Sequence, residues 1–175
     1  MGELVRVNDL RVVAGGPTGP EAEIVKGVSF GIEAGNVLAL IGESGSGKTT
    51  IALSLLGYAR RGCRIAGGSI RIGETDVLSL DRDQQYDFRG RTVSYIAQSA
   101  AAAFNPMKTI IDQVVEGALI HGLMDRAAAV NKAVELFREL ALPDPENIGA
   151  RYPHQVSGGQ LQRLMAAMAL ITDPV

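Results

Sequence analysis

The 175-residue sequence has one cysteine and lacks any long apolar run, and each absence excludes a class of protein. Cys63 has no second cysteine to pair with, so an internal disulfide is excluded and a reducing compartment is favoured. No segment approaches the roughly 20 apolar residues of a membrane-spanning helix, and the amino terminus has no apolar signal core. The formal net charge of −2 provides no basic surface for nucleic acid. We expect a soluble cytoplasmic protein that does not bind nucleic acid.

The spacing of apolar residues changes from a strand pattern to a helix pattern near Pro106. Alternating and β-branched runs predict strands at 4–7, 10–13, 24–32, 37–41, 68–73 and 92–97, with a glycine- and proline-rich loop at 14–20. Helical spacing predicts one helix from Ile110 and a second that Asp125 caps and Pro143 stops. A third helix follows Ser157. A β-rich part therefore precedes a helical part.

A glycine-rich motif lies between a strand pattern and a helix pattern. It fits the consensus G-x-x-x-x-G-K-[ST] through Gly42, Glu43, Ser44, Gly45, Ser46, Gly47, Lys48 and Thr49. The apolar run 37–41 predicts a buried strand before it, and residues 49–56 predict a helix after it. Glycines let the backbone turn tightly, so that successive amides point at phosphate oxygens. A glycine turn beside a surface lysine is the alternative, and the strand-loop-helix context argues against it.

Two side chains at the end of this loop have the chemistry that a triphosphate requires. Lys48 supplies a positive charge for the β- and γ-phosphates, and the Thr49 hydroxyl can ligate Mg²⁺. The start of the following helix adds unpaired amides and a partial positive charge. We therefore expect a site for a nucleoside triphosphate, Mg-ATP above all. The motif by itself is shared by kinases, GTPases and motor ATPases.

A second pair of glycines precedes another predicted helix, in the segment 156–163 with the sequence V-S-G-G-Q-L-Q-R. Ser157 is a good amino-terminal cap, and Gly158 and Gly159 expose the first amides of the helix. Taken alone, the segment is more simply interpreted as an ordinary capped helix. Together with the first loop it provides a second anion-binding helix start.

The two motifs together resemble those of ABC-type ATPases. Residues 42–50, which include Thr50, are similar to the Walker A motif, and residues 156–163 are similar to the LSGGQ signature, in the same order and at a similar separation. Between them, residues 95–98 resemble the Q-loop, in which a glutamine at a strand end meets the metal and the lytic water. Without these flanks, Gln98 would be interpreted as a solvated strand end.

This resemblance implies a role for each matching residue. The nucleotide phosphates would contact Gly42 to Thr50 in one molecule and Ser157, Gly158, Gly159 and Gln160 of another. Lys48 and Gln98 would act in catalysis, and Thr49 and Gln98 would contact Mg²⁺.

Three further segments are similar to the importer ATPases for oligopeptides, dipeptides and nickel. These are Arg89-Gly90, the Phe104-Asn105-Pro106 element that follows Gln98, and Tyr152-Pro153-His154-Gln155 directly before the signature. The resemblance covers nearly the whole chain. It implies a peptide or nickel importer as the system that this ATPase powers.

The implied fold is α/β: a P-loop NTPase-type core with an antiparallel β subdomain and a helical subdomain, as in an incomplete ABC ATPase domain. We place the nucleotide-binding part at 1–98, the helical subdomain at 99–155, and the signature helix at 156–175. The family pattern continues with an apolar strand ending in Asp-Glu, and later with a switch histidine. We therefore expect a fragment of a longer ATPase, in which the nucleotide sheet lacks a central strand. By itself it should bind nucleotide poorly and hydrolyse it inefficiently.

The resemblance also implies partners. Two ABC nucleotide domains meet head to tail, as a homodimer or a heterodimer, and their motion drives transmembrane permease subunits. A solute-binding protein would be an indirect partner, and the chain would lie at the cytoplasmic face of the membrane as a peripheral subunit. Solute choice lies in the permease and the binding protein, so the sequence does not identify the solute.

The sequence departs from the family pattern at several places. Val156 replaces a leucine, which we expect to be harmless. No aromatic residue lies near Ala14 to stack on adenine, and residues 99–103 replace a segment that usually carries an acidic residue and a proline and faces the membrane partner. His121 and His154 are in the wrong places for the switch and are predicted to be surface or packing residues.

Three alternative functions compete with the importer ATPase. The first is a soluble ABC-type ATPase in DNA repair or translation, against which the near-neutral charge argues. The second is a P-loop kinase or GTPase, which leaves the segment 156–163 unexplained. The third is a nucleotide-binding fragment with a regulatory or structural role.

Overall fold

The computed structural model describes residues 2–15 and 20–175 and divides into two units, 1–85 and 86–175. The predicted loop 14–20 lies partly outside the described residues. The division falls inside a helix at Arg82–Arg91. The proposed boundaries after residues 98 and 155 follow the family motifs instead, and they stay predictions.

A four-stranded antiparallel sheet forms most of the first unit. Its strands are β1 (Glu3–Ala14), β2 (Ala22–Glu33), β3 (Cys63–Ile72) and β4 (Thr75–Asp76), in the order β2-β1-β3-β4. The predicted strands 4–7 and 10–13 are confirmed as one strand, and those at 24–32 and 68–73 are confirmed within β2 and β3. The antiparallel β subdomain expected from the sequence is therefore present.

A bulge at Asp9 joins the two halves of β1. Asp9 has a left-handed backbone with φ 44°, and the pairing of β1 with both neighbours shifts register around it. Two glycines make room for it. A Cβ on Gly68 would lie 2.5 Å from the Asp9 carbonyl oxygen, and a Cβ on Gly27 would lie 2.6 Å from its Oδ1. Side chains along a strand alternate between its two faces, and the extra residue of the bulge shifts this alternation by one position. Val7 before the bulge and Leu10 after it can therefore face the same side of the sheet.

The core of this sheet comes from apolar pairs across neighbouring strands. Val7 of β1 lies opposite Ile70 of β3, and both are buried. After the bulge, Leu10 and Val12 are also fully buried, and Val12 lies opposite Val25 of β2. These residues form the buried apolar face of the sheet.

Two predicted strands are wrong. Residues 37–41 run without strand pairing, and Val37 and Ile41 are each 95% exposed. Residues 92–97 form only an isolated bridge between Val93 and Arg89. An apolar run becomes a strand only when a neighbour satisfies its backbone groups, and neither run has such a neighbour among residues 2–15 and 20–175. Their composition is typical of parallel strands that are covered on both faces.

Helices account for the rest of the regular secondary structure among the described residues. They are α1 (Lys48–Ser54), α2 (Arg82–Arg91), α3 (Ala100–Ala103), α4 (Ile110–Ile120), α5 (Arg126–Glu139) and α6 (Gly158–Leu170), with 3₁₀ turns at Ile148–Ala150 and Pro153–Gln155. The predicted helices after the glycine-rich loop, from Ile110, after Asp125 and after Ser157 are confirmed. Asp125 caps α5 as predicted, since its Oδ1 accepts a hydrogen bond from the Ala128 amide at 2.8 Å. Helix α2, which was not predicted, breaks at Arg89 and Gly90.

The helical unit has its own apolar core. It brings together buried residues of α4, α5 and α6, with Phe137, Val114 and Leu164 completely buried. Val156, which replaces the family leucine, is half-buried against this cluster. The signature segment therefore begins with a residue that packs against the apolar core of the helical unit.

Candidate functional site

The glycine-rich loop of the first unit turns back on itself between Gly42 and the start of α1. Gly45 and Gly47 have φ values of 84° and 90°, a region that side chains with a Cβ rarely adopt. Gly47 is also sterically required, because a Cβ there would lie 3.0 Å from the carbonyl oxygen of Ile24 in β2. The loop is thus seated against one edge of the sheet, and its other residues from Gly42 to Ser46 are exposed.

The ammonium group of Lys48 lies inside this loop. Its Nζ donates hydrogen bonds to the carbonyl oxygens of Gly42 at 2.7 Å and Glu43 at 2.5 Å, and it lies 3.2 Å from the Ser46 Oγ. The ammonium group is therefore held by two backbone carbonyls and one hydroxyl of the loop. Thr49 is exposed beside it and Thr50 is half-buried. Of the residues that the sequence singles out, the structure brings Gly42, Glu43 and Ser46 into contact with Lys48.

An open groove of about 440 Å³ runs beside the loop. Its walls are the loop itself, one residue of α1 and the first half of β2: Glu23, Ile24, Val25, Lys26, Val28, Gly45, Ser46 and Ile51. Strand β2 is the terminal strand of the sheet, hydrogen-bonded to β1 on one side only among the described residues. The groove thus borders a free strand edge.

The predicted signature turn has the expected cap. The Ser157 Oγ accepts a hydrogen bond from the Gln160 amide at 3.2 Å, and the Gln160 Oε1 accepts one from the Ser157 amide at 2.8 Å. This reciprocal pair is a capping box, which fixes the first turn of a helix. Nothing lies within 4 Å of a Cβ placed on Gly158 or Gly159. Gly158 and Gly159 are both exposed, so the start of α6 is accessible to a ligand, and the amino terminus of a helix is favourable for an anion.

Arg163, one turn into α6, holds this turn against α5. Its Nη1 donates to the carbonyl oxygens of Leu140 and Ala141, which directly follow α5, and its Nε lies 3.4 Å from the Gly159 carbonyl oxygen. A cation at the carboxyl end of a helix is favourable, because unpaired carbonyls carry partial negative charge there.

Gln98 lies in a bend of the second unit, directly after the unpaired run 92–97, and is exposed. The described residues contain no group of three or more His, Cys, Asp or Glu side chains that could hold a metal ion. The proposed contacts of Gln98 and Thr49 with Mg²⁺ therefore stay predictions. Both would be oxygen ligands, the type that Mg²⁺ prefers.

The two histidines have the packing and surface roles predicted for them. The His121 side chain is 8% exposed and lies between the Tyr86 ring, 5.8 Å away, and the Asp87 carboxylate, 3.6 Å from its Nδ1. His154 is exposed and stacks on the Tyr152 ring at 5.8 Å.

Sequence reasoning missed Gln113, a buried amide that organises the Asn105-Pro106 element. Its Oε1 accepts from the Asn105 amide at 2.7 Å, and its Nε2 donates to the carbonyl oxygens of Asn105 and Lys108, each at 3.1 Å. The available signal was a lone polar residue on the apolar face of α4, three positions after Ile110.

Among the described residues, no helix is both long enough and apolar enough to cross a membrane.

The carboxylate of Asp112 lies in the first turn of α4, beside the Thr109 hydroxyl and the Arg126 guanidinium. The hydrogen bond from the Thr109 hydroxyl and the neighbouring Arg126 guanidinium lower the pKa of Asp112 below its ordinary value of 3.8. This carboxylate stabilises the start of α4, where negative charge is favourable.

Known proteins with similar sequences are ATP-binding subunits of peptide transporters. The oligopeptide transport ATP-binding protein AppD of Bacillus subtilis is 37% identical over 175 residues, which cover 99% of this chain and 53% of that protein. The oligopeptide transport ATP-binding protein OppD of Escherichia coli is 34% identical over 171 residues, 98% of this chain and 50% of that protein. The dipeptide transport ATP-binding protein DppD of Bacillus subtilis is 35% identical over 157 residues, which cover 89% of this chain and 47% of that protein. The chain spans about half the length of these relatives.

A solved structure has the same fold. It is a dimeric, post-hydrolysis state of an ATP-binding cassette bound to ADP and Pi, with a TM-score of 0.78 and 22% identity, covering 97% of this chain and 70% of that one. The α/β ABC ATPase fold expected from the sequence is confirmed. The family model described as ABC transporter matches residues 25–175. On the strength of that match and of the relatives above, the chain belongs to the ABC transporter family of ATP-binding proteins.

Proposed function

We propose that this chain is the nucleotide-binding part of an ATPase that powers the import of peptides across a membrane. The observation that carries the proposal is the loop from Gly42 to Thr49 with the Lys48 ammonium group at its centre. The relatives named above are peptide transport proteins, which favours peptides over nickel and transport over DNA repair or translation.

The loop would bind the triphosphate through its amides and the Lys48 charge. Lys48 donates to carbonyl oxygens of its own loop, and a phosphate oxygen would be a stronger acceptor for the same ammonium group. Thr49 and Gln98 would contact Mg²⁺, which when bound neutralises part of the phosphate charge. Gln98 would also orient the attacking water.

The signature turn would act on the nucleotide of a second nucleotide-binding domain. Ser157, Gly158 and Gly159 stand at an exposed helix start, and Gln160 closes the capping box that keeps the amides in position. Two anion-binding segments, one from each molecule, would thus enclose one triphosphate and respond to its γ-phosphate. We propose a head-to-tail dimer, with a second copy or a related domain, bound to permease subunits at the cytoplasmic face of the membrane. A solute-binding protein would deliver the peptide.

Replacement of Lys48 by alanine tests the phosphate site. In the complete protein, Lys48→Ala should weaken ATP binding by roughly ten- to hundredfold, because a charge-assisted hydrogen bond contributes about 1.5–3 kcal/mol. The measurement is calorimetric titration with ATP. Lys108→Ala is the matched control, since Lys108 is an exposed lysine that pairs with Glu116 in the other unit. An ATP affinity within twofold of the unmodified protein would refute the placement of the phosphates.

A further inference from the structure

Helix α5 ends in a left-handed turn at Ala141, whose φ is 51°. The Ala141 amide donates to the Arg138 carbonyl oxygen and the Leu142 amide to that of Phe137, each at 2.9 Å. These are the two bonds of a Schellman motif, in which glycine is the usual residue at the left-handed position because it has no Cβ. The motif does not use the carbonyl groups of residues 140 and 141. The end of α5 therefore offers two acceptors to a donor from elsewhere in the unit.

The Arg163 guanidinium supplies that donor. Its Nη1 donates to the carbonyl oxygens of Leu140, at 3.1 Å, and Ala141, and its Nε lies 3.4 Å from the Gly159 carbonyl oxygen in the first turn of α6. Other arginines of this unit pair with carboxylates, but Arg163 does not do so among the described residues. Because a guanidinium is planar and has five donors, it can bond two backbone segments at once. We call this link between the end of α5 and the first turn of α6 the Arg163 bridge.

The Arg163 bridge acts on a peptide group of the signature turn. The Gly159 carbonyl shares its peptide plane with the Gln160 amide, which donates to the Ser157 Oγ at 3.2 Å. The cap and the bridge therefore hold the two ends of one rigid group. Gly158 and Gly159 are exposed and have no Cβ, so packing of their own side chains cannot fix this turn. Bonds to the backbone must do so.

We propose that Arg163 is a positioning residue for the nucleotide site that two molecules form together. It fixes the signature turn to α5, which is itself anchored by the buried Phe137 and Leu142. The amides of the turn then keep one direction towards the phosphate that the second molecule binds. The proposal rests on the proposed function, because it assumes a head-to-tail pair. In this role Arg163 does not contact the nucleotide, and its loss should affect the site of the second molecule while sparing its own.

Two variants of the complete protein test the bridge. Arg163→Met removes all three contacts and keeps an unbranched side chain. Arg163→Lys keeps the charge, but its single nitrogen cannot bond both segments. Association is measured by analytical ultracentrifugation with the non-hydrolysable analogue AMP-PNP and Mg²⁺. Arg163→Met should weaken it about tenfold, the effect of one lost hydrogen bond to a charged group, and Arg163→Lys should stay at least about threefold weaker than the unmodified protein.

Calorimetric titration with ATP examines the molecule's own loop. Both variants should bind ATP within about twofold of the unmodified protein, because the loop at Gly42 lies in the other unit. Arg138→Met is the matched control. Arg138 lies in the last turn of α5 and pairs with Glu146 at 2.8 Å on the surface, so its loss should change neither ATP binding nor association.

Mixing experiments separate positioning from folding. Each nucleotide site would take its loop and Gln98 from one molecule and its signature turn from the other. In a mixture of Lys48→Ala and Arg163→Met molecules, ATP turnover should exceed that of either variant and reach about a quarter of the unmodified value, because half of the dimers are mixed and each has one intact site. A mixture of Lys48→Ala with Gln98→Ala should stay inactive, since both residues belong to the same site. An Arg163→Met molecule that had lost its fold could not supply Gln98 and would not complement.

The Arg163 bridge is refuted if Arg163→Met associates as tightly as the unmodified protein. It is also refuted if Arg163→Lys restores association completely, since charge alone would then suffice, or if the mixture with Lys48→Ala is no more active than its components. Each of these results leaves ATP binding by the unmodified protein intact. If the unmodified protein does not bind ATP, the loop at Gly42 is wrongly assigned, and the proposed function fails together with this proposal.

Discussion

Replacement of Gln113 by leucine should destabilise the helical unit by about 2 kcal/mol. The Gln113 residue is 6% exposed, and its amide makes one accepted bond, from the Asn105 amide at 2.7 Å. Its Nε2 lies within 3.2 Å of the carbonyl oxygens of Asn105, Lys108 and Thr109. An amide nitrogen has two hydrogens, so these three acceptors share two donors. The substitution therefore removes three hydrogen bonds, one accepted and two donated by the Gln113 amide.

The magnitude follows from two opposing effects. Each lost bond costs about 1 kcal/mol, which gives about 3 kcal/mol for the set. Leucine fills a similar volume and recovers about 1 kcal/mol through its greater apolar surface. Water can reach part of the freed backbone, because Asn105 and Lys108 are exposed, and this keeps the loss from rising further.

Urea unfolding of the complete protein, followed by circular dichroism, measures this change. With a slope of about 2 kcal/mol per molar urea, the midpoint should fall by about 1 M. Gln162→Leu makes the same substitution at an exposed site of α6 and should shift the midpoint little. A loss below about 0.5 kcal/mol for Gln113→Leu would show that these bonds do not hold the Asn105-Pro106 element.

Two further predictions concern the starts of α6 and α4. Ser157→Ala should lower the free energy of unfolding in urea by about 1 kcal/mol, because it removes the cap of α6. Ser157→Thr should retain most of that free energy, and an equal loss in both variants would contradict the capping role. The lowered pKa of Asp112 means that its ionised form stabilises the folded state above pH 3.8, and that this contribution disappears as the pH falls through the lowered pKa. Asp112→Asn should therefore be less stable than the unmodified protein at pH 6 and should approach it in acid, and a difference that is independent of pH would refute this.

Local patterns predicted the helices well. The caps at Asp125 and Ser157 are both observed, because a capping bond joins residues only three positions apart. The phosphate loop was recognisable for a similar reason, since its contacts join Lys48 to residues within six positions. Such features depend on neighbours that the sequence itself places together.

Features that depend on distant partners were predicted less well. Residues 37–41 and 92–97 have strand composition, yet neither finds a partner strand in the described structure. The bulge at Asp9 depends on Gly27 and Gly68, which are far away in sequence. The role of Gln113 becomes apparent only when the structure shows the loop at Asn105 in contact with α4. In each case the structure depends on a contact with a distant residue, so the local spacing of apolar residues does not reveal it.

The internal bonds of Lys48 make nucleotide binding an exchange. The ammonium group has acceptors in the carbonyl oxygens of Gly42 and Glu43. A triphosphate must displace these contacts, so its measured affinity reports the difference between two sets of bonds to the same cation. The carbonyl oxygens of the loop therefore compete with a triphosphate for the Lys48 ammonium group, and a change that weakens these internal contacts should tighten nucleotide binding.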